Sequence, residues 1–296
     1  MNIKKNVLLT TLLACSITSY AYDPRSYSLI PTDVSLVEIQ HSVVETQKNI
    51  NSTTKINLES TVEHVRLLRS LDFFGNLAGA YVILPYQNND GKINLGSNTL
   101  VHENQSSLGD IKLFFGIGVY NMPALTKQQF SGYDRNGIKA SCSGAITLPT
   151  GDYKSDKLFS VGSNQKSLKG ECSANYTKDK FVAEYSQGLT SYGNNSEYLK
   201  ASTLEKGNLY HQEIHLSYNL AGQTWGGVSL LHQSGGGSYI NQKFSNDSQD
   251  NTSIGLVLNY YLDRTDIIKV NYQKTLSSPD FSQKQNYWAI AYQKVF

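Results

Sequence analysis

Three side chains at alternate positions, His211, Glu213 and His215, raise the question of chemistry first. Imidazoles and carboxylates bind metals and move protons near neutral pH. In an extended chain, alternate residues share one face about 7 Å apart. Two neighbours of this row can therefore share an ion, but the outer pair is too distant for one. The row reads as hydrated polar side chains beside a watered space, and no metal is expected. Hydrolysis would need a serine, a histidine and an orienting acid or amide at one height. His41, His64 and His232 offer bases, yet no serine sits in an elbow or strand-end context. The glycine runs Gly226-Gly227 and Gly235-Gly236-Gly237 have no lysine and following helix, so they are bends rather than phosphate loops. No cofactor is implied, and no enzymatic activity is expected.

The elements that would carry these groups are strands. The last twelve residues alternate, with Trp288, Ile290, Tyr292 and Phe296 on one face and Ala289, Ala291 and Gln293 on the other. About ten tilted residues cross a bilayer core, with aromatics near both ends. Lys294 falls on the apolar row, tolerable if it snorkels at the rim. Ile111, Leu113, Phe115, Ile117 and Val119 oppose Asp110, Lys112, Phe114, Gly116 and Gly118 in the same way. A charged fraction of 17% with no run of eighteen apolar residues excludes a helical membrane protein. A barrel hides its apolar residues in alternation, so this polarity is no argument against a membrane. A net charge of +2 gives no steering towards nucleic acid.

The chain then divides into three. Lys4 and Lys5, the apolar run Val7 to Cys15 and Ser19-Tyr20-Ala21 read as a signal peptide over residues 1–21. Leu12-Leu13-Ala14-Cys15 leaves a lipoprotein box, with Cys15 lipidated, as the alternative. Residues 22–33 form an extended segment, lying in the periplasm or folded into a barrel mouth. In the second case Arg25 is available to a lumen carboxylate such as Glu38 or Glu63. Residues 34–296 form about twelve strands joined alternately by long polar loops and short turns, which is the outer-membrane pattern. The loops include Gln87 to Ser106. Asn121 to Asn136 is too long for a turn and predicts a short amphipathic helix at the periplasmic rim, from Met122, Leu125, Gln129 and Phe130. The facing of Leu77 to Leu84 and of Thr224 to His232 stays open.

With the apolar rows placed against lipid, the lumen-lining set is Glu38, Glu59, Asp110, Lys112, Lys139, Lys169, Glu171, Glu184, His211, Glu213, His215 and Lys269. Glu63 follows from the same reading, in which Ile56, Leu58 and Val62 face lipid. Both signs of charge argue against a single-sign selectivity filter. Cys142 and Cys172 fall on lipid-facing rows at similar distances from the Pro149–Gln165 loop, so a disulfide in an oxidising compartment and two thiols packed against lipid are both open.

Further stretches carry a resemblance. They are Asp23-Pro24-Arg25-Ser26-Tyr27 with Pro31, Leu71 to Tyr86 (L-D-F-F-G-N-L-A-G-A-Y-V-I-L-P-Y), and Ser107 to Ile111. Tyr120 to Leu125, Leu148 to Tyr153 and Gly162-Ser163-Asn164 continue it over nearly the whole mature chain. The sequence resembles the outer-membrane transporter family labelled with the MetA pathway of phenol degradation. That resemblance implies an outer-membrane barrel, sometimes found with aromatic degradation, and brings no catalytic residues. The C-terminal strand, with Trp288, Ile290, Tyr292 and Phe296, resembles the signal read by the barrel-assembly machinery.

The expectation is an all-β, transmembrane, antiparallel up-and-down barrel in the outer membrane, monomeric and surrounded by lipid. Its function is passage of small solutes, with aromatic or hydrophobic ones as the candidates. A structural or surface-interaction barrel without transport is the alternative, and an outer-membrane hydrolase the third.

Overall fold

The structure, a computed structural model, describes residues 24–296. The expected signal peptide and its cleavage site lie outside the described residues. In chain order the strands are β1 (Ser35–Asn49), β2 (Thr54–Phe73), β3 (Asn76–Leu95), β4 (Asn98–Leu108), β5 (Lys112–Tyr120), β6 (Gly137–Thr147) and β7 (Ser167–Lys178). They continue with β8 (Phe181–Tyr192), β9 (Asn195–Tyr198), β10 (Ser202–Lys206), β11 (Leu209–Asn219), β12 (Trp225–Gly235), β13 (Ser238–Ile240) and β14 (Lys243–Phe244). The last three are β15 (Gln249–Tyr261), β16 (Asp266–Ser277) and β17 (Gln283–Val295). A short helix α1 (Lys127–Ser131) lies between β5 and β6.

Twelve of these strands close an antiparallel barrel, in which each neighbours the next and β1 pairs with β17. The seam runs in continuous register from Leu36 opposite Val295 to Lys48 opposite Gln283. Closure leaves the ring no free edge, which a sheet of this size could not otherwise shield. Both ends of the ring's chain and the short turns lie at one end of the barrel, here the turn end. The β5–β6 connection with α1 lies there too, and the remaining connections of the ring lie at the other end, the loop end. There β9, β10, β13 and β14 form a small second sheet, packed on Tyr198, Leu204 and Ile240.

Alternation holds along the wall. On β5, Leu113, Phe115 and Val119 are exposed on the outer surface. The open facings resolve as well. On β3, Tyr81 and Ile83 share the inward face of Lys112 and Phe114 on β5, and on β12 Trp225, Ser229 and Leu231 are buried inward.

Four expectations are corrected. First, Ile56, Leu58 and Val62 face inward, so Glu59 and Glu63 stand on the outside of the wall and do not line the lumen. The reason is length. β2 and β3 run for 20 residues each, and about 9–11 residues cross the bilayer core. In the loop-end half the outside is wet, and the apolar side chains turn inward to pack as Ile56, Leu58, Ile93 and Phe159. Gly91 makes room for this, since a Cβ there would meet the Phe159 ring at 2.1 Å. Second, the stretch expected as a polar loop from Gln87 is the upper part of β3 paired with β4. Water on the outside removes the apolar period there, so the strand looked like a loop. Third, the expected short helix forms as α1, but Met122 and Leu125 stay outside it. α1 is closed by a capping box between Thr126 and Gln129, while Met122 instead packs on Leu29 and Leu77. Fourth, Arg25 meets neither Glu38 nor Glu63, as described below.

Cys142 and Cys172 face each other in register on the outer surface of β6 and β7, joined as a disulfide with Cα atoms 4.0 Å apart. Mature protein unfolded without reductant is therefore expected to show no thiol from this pair. A titre of two would rule the bond out.

Candidate functional site

Residues 24–34 enter the barrel from the turn end and cross its lumen. Arg25 adopts a left-handed backbone, φ 68°, that an arginine rarely takes without compensating contacts. Those contacts are present. Its backbone N–H donates to Glu184 Oε2 at 2.7 Å, its Nε to Ser217 Oγ at 2.8 Å and its Nη1 to Asn219 Oδ1 at 2.6 Å. Its guanidinium also lies 4.5 Å from the centre of the Trp225 ring, a cation–π distance. Two residues on, the Tyr27 hydroxyl donates to Glu171 Oε1 at 2.5 Å and shares a 2.9 Å hydrogen bond with Ser143. Asn175 holds the Tyr27 carbonyl at 3.4 Å. Nearer the turn end, Leu29 packs on Leu77 and Met122, and Ser70 ties the segment to β2 through Val34 N–H and Pro31 O. The segment is a plug with polar anchors across β6, β7, β8, β11 and β12.

Beneath the plug lies the first of two polar networks. Glu171 on β7 accepts from Lys169 at 3.0 Å and meets His211 Nε2 on β11. β8 runs between those strands, and their meeting depends on Gly188, the register partner of both Glu171 and His211. A Cβ at Gly188 would lie 2.6 Å from the His211 ring. His215 Nε2 is 3.1 Å from Glu213 Oε2, and its Nδ1 is 2.7 Å from Ser229 Oγ. The second network is centred on Glu38, which takes Arg66 at 2.8 Å, His64 at 3.2 Å and Gln293 at 2.5 Å. Between the two lies an aromatic group in which Tyr81 stacks on Phe114 at 4.3 Å, with Tyr27 at 6.5 Å and the Arg66 guanidinium 5.5 Å over Tyr81.

Most of the expected lumen residues therefore do point inward: Glu38, Lys139, Glu171, Glu184, His211, Glu213, His215 and Lys269 are buried there, with Lys112 and Lys169 half-buried on the same face. Asp110 lies between β4 and β5 and fastens the loop before β7, accepting from Gly151 N–H at 2.8 Å and from Ser163 N–H at 3.0 Å. Lys139 caps the Arg135 carbonyl near the turn end. Glu59 is excluded, as above. Sequence reasoning did not single out Tyr27, Arg66, Gln293 or the buried Lys48–Asp247 pair, 3.1 Å apart, which holds the β14–β15 connection against β1. The signal for Arg66 was present, because it shares the parity of His64 and Ser70, and three polar residues on one side of a spanning strand mark the lumen.

Ser229, His215 and Glu213 have the composition of a hydrolase triad. Ser229, however, is paired through the backbone on both sides, with His215 and with Gly255, so its strand does not offer the pair of N–H donors that an oxyanion needs. Of the other candidate bases, His41 bonds Glu63 outside the wall, and His232 stands 3.6 Å from Asp250 on the outer surface. At the terminal strand, Trp288, Ile290, Tyr292 and Phe296 are exposed on the lipid face, and Lys294 pairs with Asp266 there.

Comparison with known proteins agrees with this architecture. An outer membrane channel from Pseudomonas putida F1 superposes with a TM-score of 0.76 at 18% identity, over 93% of this chain and 100% of that one. The β domain of the Bordetella autotransporter BrkA gives 0.55 at 10% identity, over 89% of this chain and 100% of that one. The translocator domain of the Neisseria meningitidis autotransporter NalP gives 0.51 at 9%, over 90% and 89% respectively. No curated protein matches the sequence. The family model described as a putative MetA-pathway of phenol degradation matches residues 41–289. The chain belongs to that family, and its fold is the closed twelve-stranded barrel of outer-membrane proteins.

Proposed function

We propose that the protein is an outer-membrane channel for small solutes, closed at rest by its own N-terminal segment. The observation that carries this reading is the docking of Arg25 and Tyr27 on Glu184, Ser217, Asn219 and Glu171 inside the barrel. A ring of twelve strands has a lumen wider than the side-chain-filled interior of an eight-stranded barrel and narrower than an open porin. Here that space is taken by a segment that continues into β1 through Val34 and is held across the lumen by hydrogen bonds, which suits a removable closure. The Tyr27, Tyr81 and Phe114 group, together with the family's description, supports small aromatic solutes as the cargo. The protein works as a single chain in outer-membrane lipid, delivered by a cleaved signal peptide and inserted by the assembly machinery through its terminal strand.

Planar-bilayer recording tests the reading. Wild-type protein is expected to give small, intermittent currents, and deletion of residues 22–28 to give larger and steadier ones. Low currents from a correctly folded deletion would instead favour a barrel whose loop-end surface is its function. Orientation has its own test. Asp156→Cys, Ser196→Cys and Asn246→Cys, all exposed at the loop end, are expected to react with an impermeant thiol reagent on intact cells. Asp179→Cys and Asp263→Cys at the turn end are not, and labelling of both sets would overturn the orientation.

A further inference from the structure

We infer that the patch beneath the plug binds a divalent transition-metal ion of the zinc class through Glu171, His211 and Glu213, and that the ion and the plug compete for Glu171. The competition rests on the plugged-channel reading; the site itself does not.

Geometry comes first. One ligand atom from each of the three residues lies within 4.8 Å of the others, and all three side chains are buried. Alternation along β11 alone suggested that its outer imidazoles are too far apart to share an ion. The barrel supplies what one strand cannot, by bringing Glu171 from β7 across Gly188 to the same point. Metal–ligand distances of about 2.0–2.2 Å put tetrahedral ligand atoms roughly 3.4 Å apart, so a separation at the 4.8 Å limit closes by roughly 1.4 Å. Carboxylate rotation covers that range.

The donor set selects the ion. One imidazole with two carboxylates favours borderline ions such as zinc, cobalt or nickel, whereas calcium and magnesium prefer oxygen alone. An outer layer that orients the ligands is already built. His215 holds Glu213, and Ser229 holds His215. Ser186 gives an independent indication. It is the register partner of Glu213 on the inward face of β8, it is 2% exposed, and its Oγ has no hydrogen-bond partner among the described residues. A buried hydroxyl without a partner is costly, and a water on the ion would satisfy it.

Charge links the site to the plug. Glu171, Glu184 and Glu213 share this part of the wall with Lys169, and the docked Arg25 brings a second positive charge to it on Ser217 and Asn219. Withdrawal of the plug removes that charge, and a divalent ion restores it. Glu171 already receives Tyr27, Lys169 and His211. An ion approaching Oε1 must therefore displace the Tyr27 hydroxyl. Two ligands that exclude each other lower each other's affinity by the same factor.

Untagged mature protein in detergent, titrated with zinc chloride by calorimetry and with cobalt chloride by visible absorption, decides the matter. One saturable site is expected, with d–d bands from cobalt. His211→Ala and Glu213→Gln should each weaken binding by about tenfold or more. His102→Ala, which removes an exposed imidazole facing Asp90, should leave it unchanged. Deletion of residues 22–28 should strengthen binding several-fold. Absence of a saturable site in both the full-length and the deleted forms, or a site indifferent to both lumen variants when these fold, overturns the metal site. Binding unaffected by the deletion overturns the competition. Conductance of the deletion recorded in EDTA reports on the plug alone, so failure of either idea is read separately.

Discussion

Arg25→Glu is expected to open the barrel at neutral pH. The substitution removes two side-chain hydrogen bonds and the contact with Trp225, and sets a carboxylate beside Glu184. Each hydrogen bond made by a charged group is worth about 1.5–3 kcal/mol, so losing the two costs at least about 3 kcal/mol. Each 1.4 kcal/mol or so changes an equilibrium tenfold, so the undocked fraction should rise by roughly two orders of magnitude until it saturates. In planar bilayers this reads as a steady current in place of brief openings. Arg25→Lys keeps the charge and loses the planar fork, and should give an intermediate open time. If Arg25→Glu, correctly folded, conducts no better than wild type, the segment is not the closure.

Glu38→Leu is expected to act on stability rather than on conductance. Glu38 joins β1 to β2 through Arg66 and His64 and to β17 through Gln293, so it braces both sides of the seam. Its removal leaves the Arg66 guanidinium inside the wall without its carboxylate, at a cost of about 3–5 kcal/mol. Folded barrels resist sample-buffer denaturation, so the temperature at which the compact gel band is lost should fall by several degrees or more. The double variant Glu38→Leu with Arg66→Leu should recover much of that loss, because the stranded charge goes with it. A loss in the double variant equal to the sum of the losses in Glu38→Leu and Arg66→Leu would show that the pair is not coupled.

Legibility from sequence depended on what lay outside the strand. β5, β11 and β17 were readable because lipid on one side and water on the other give a strict two-residue period. The outer half of β2 kept the period and reversed its meaning. Above the bilayer, Glu59 and Glu63 face water from the outside, while Ile56 and Leu58 pack inward against Phe159. His64 and Arg66, lower on the same strand, carried the correct parity. The lumen residues could be named, but their partners could not. Arg25 and Glu184 are 159 positions apart, and Glu171 and His211 are 40 apart with a glycine between them in the wall. Such pairings depend on where a segment crosses an enclosed space, about which local periodicity carries no information.

The register between β1 and β17 also constrains the order of events during biogenesis. Leu36 meets Val295, so the first spanning strand waits for the last one to be delivered. Until then β1 keeps one edge unpaired, and an unpaired edge is an invitation to pair with another chain. Contacts of such long range form slowly, because the loop must close before the ladder can reward it. A nascent chain thus spends its most vulnerable interval with Glu38 half-satisfied, waiting for Gln293. Loss of the last four residues would remove the three pairs nearest the turn end and leave Glu38 without Gln293.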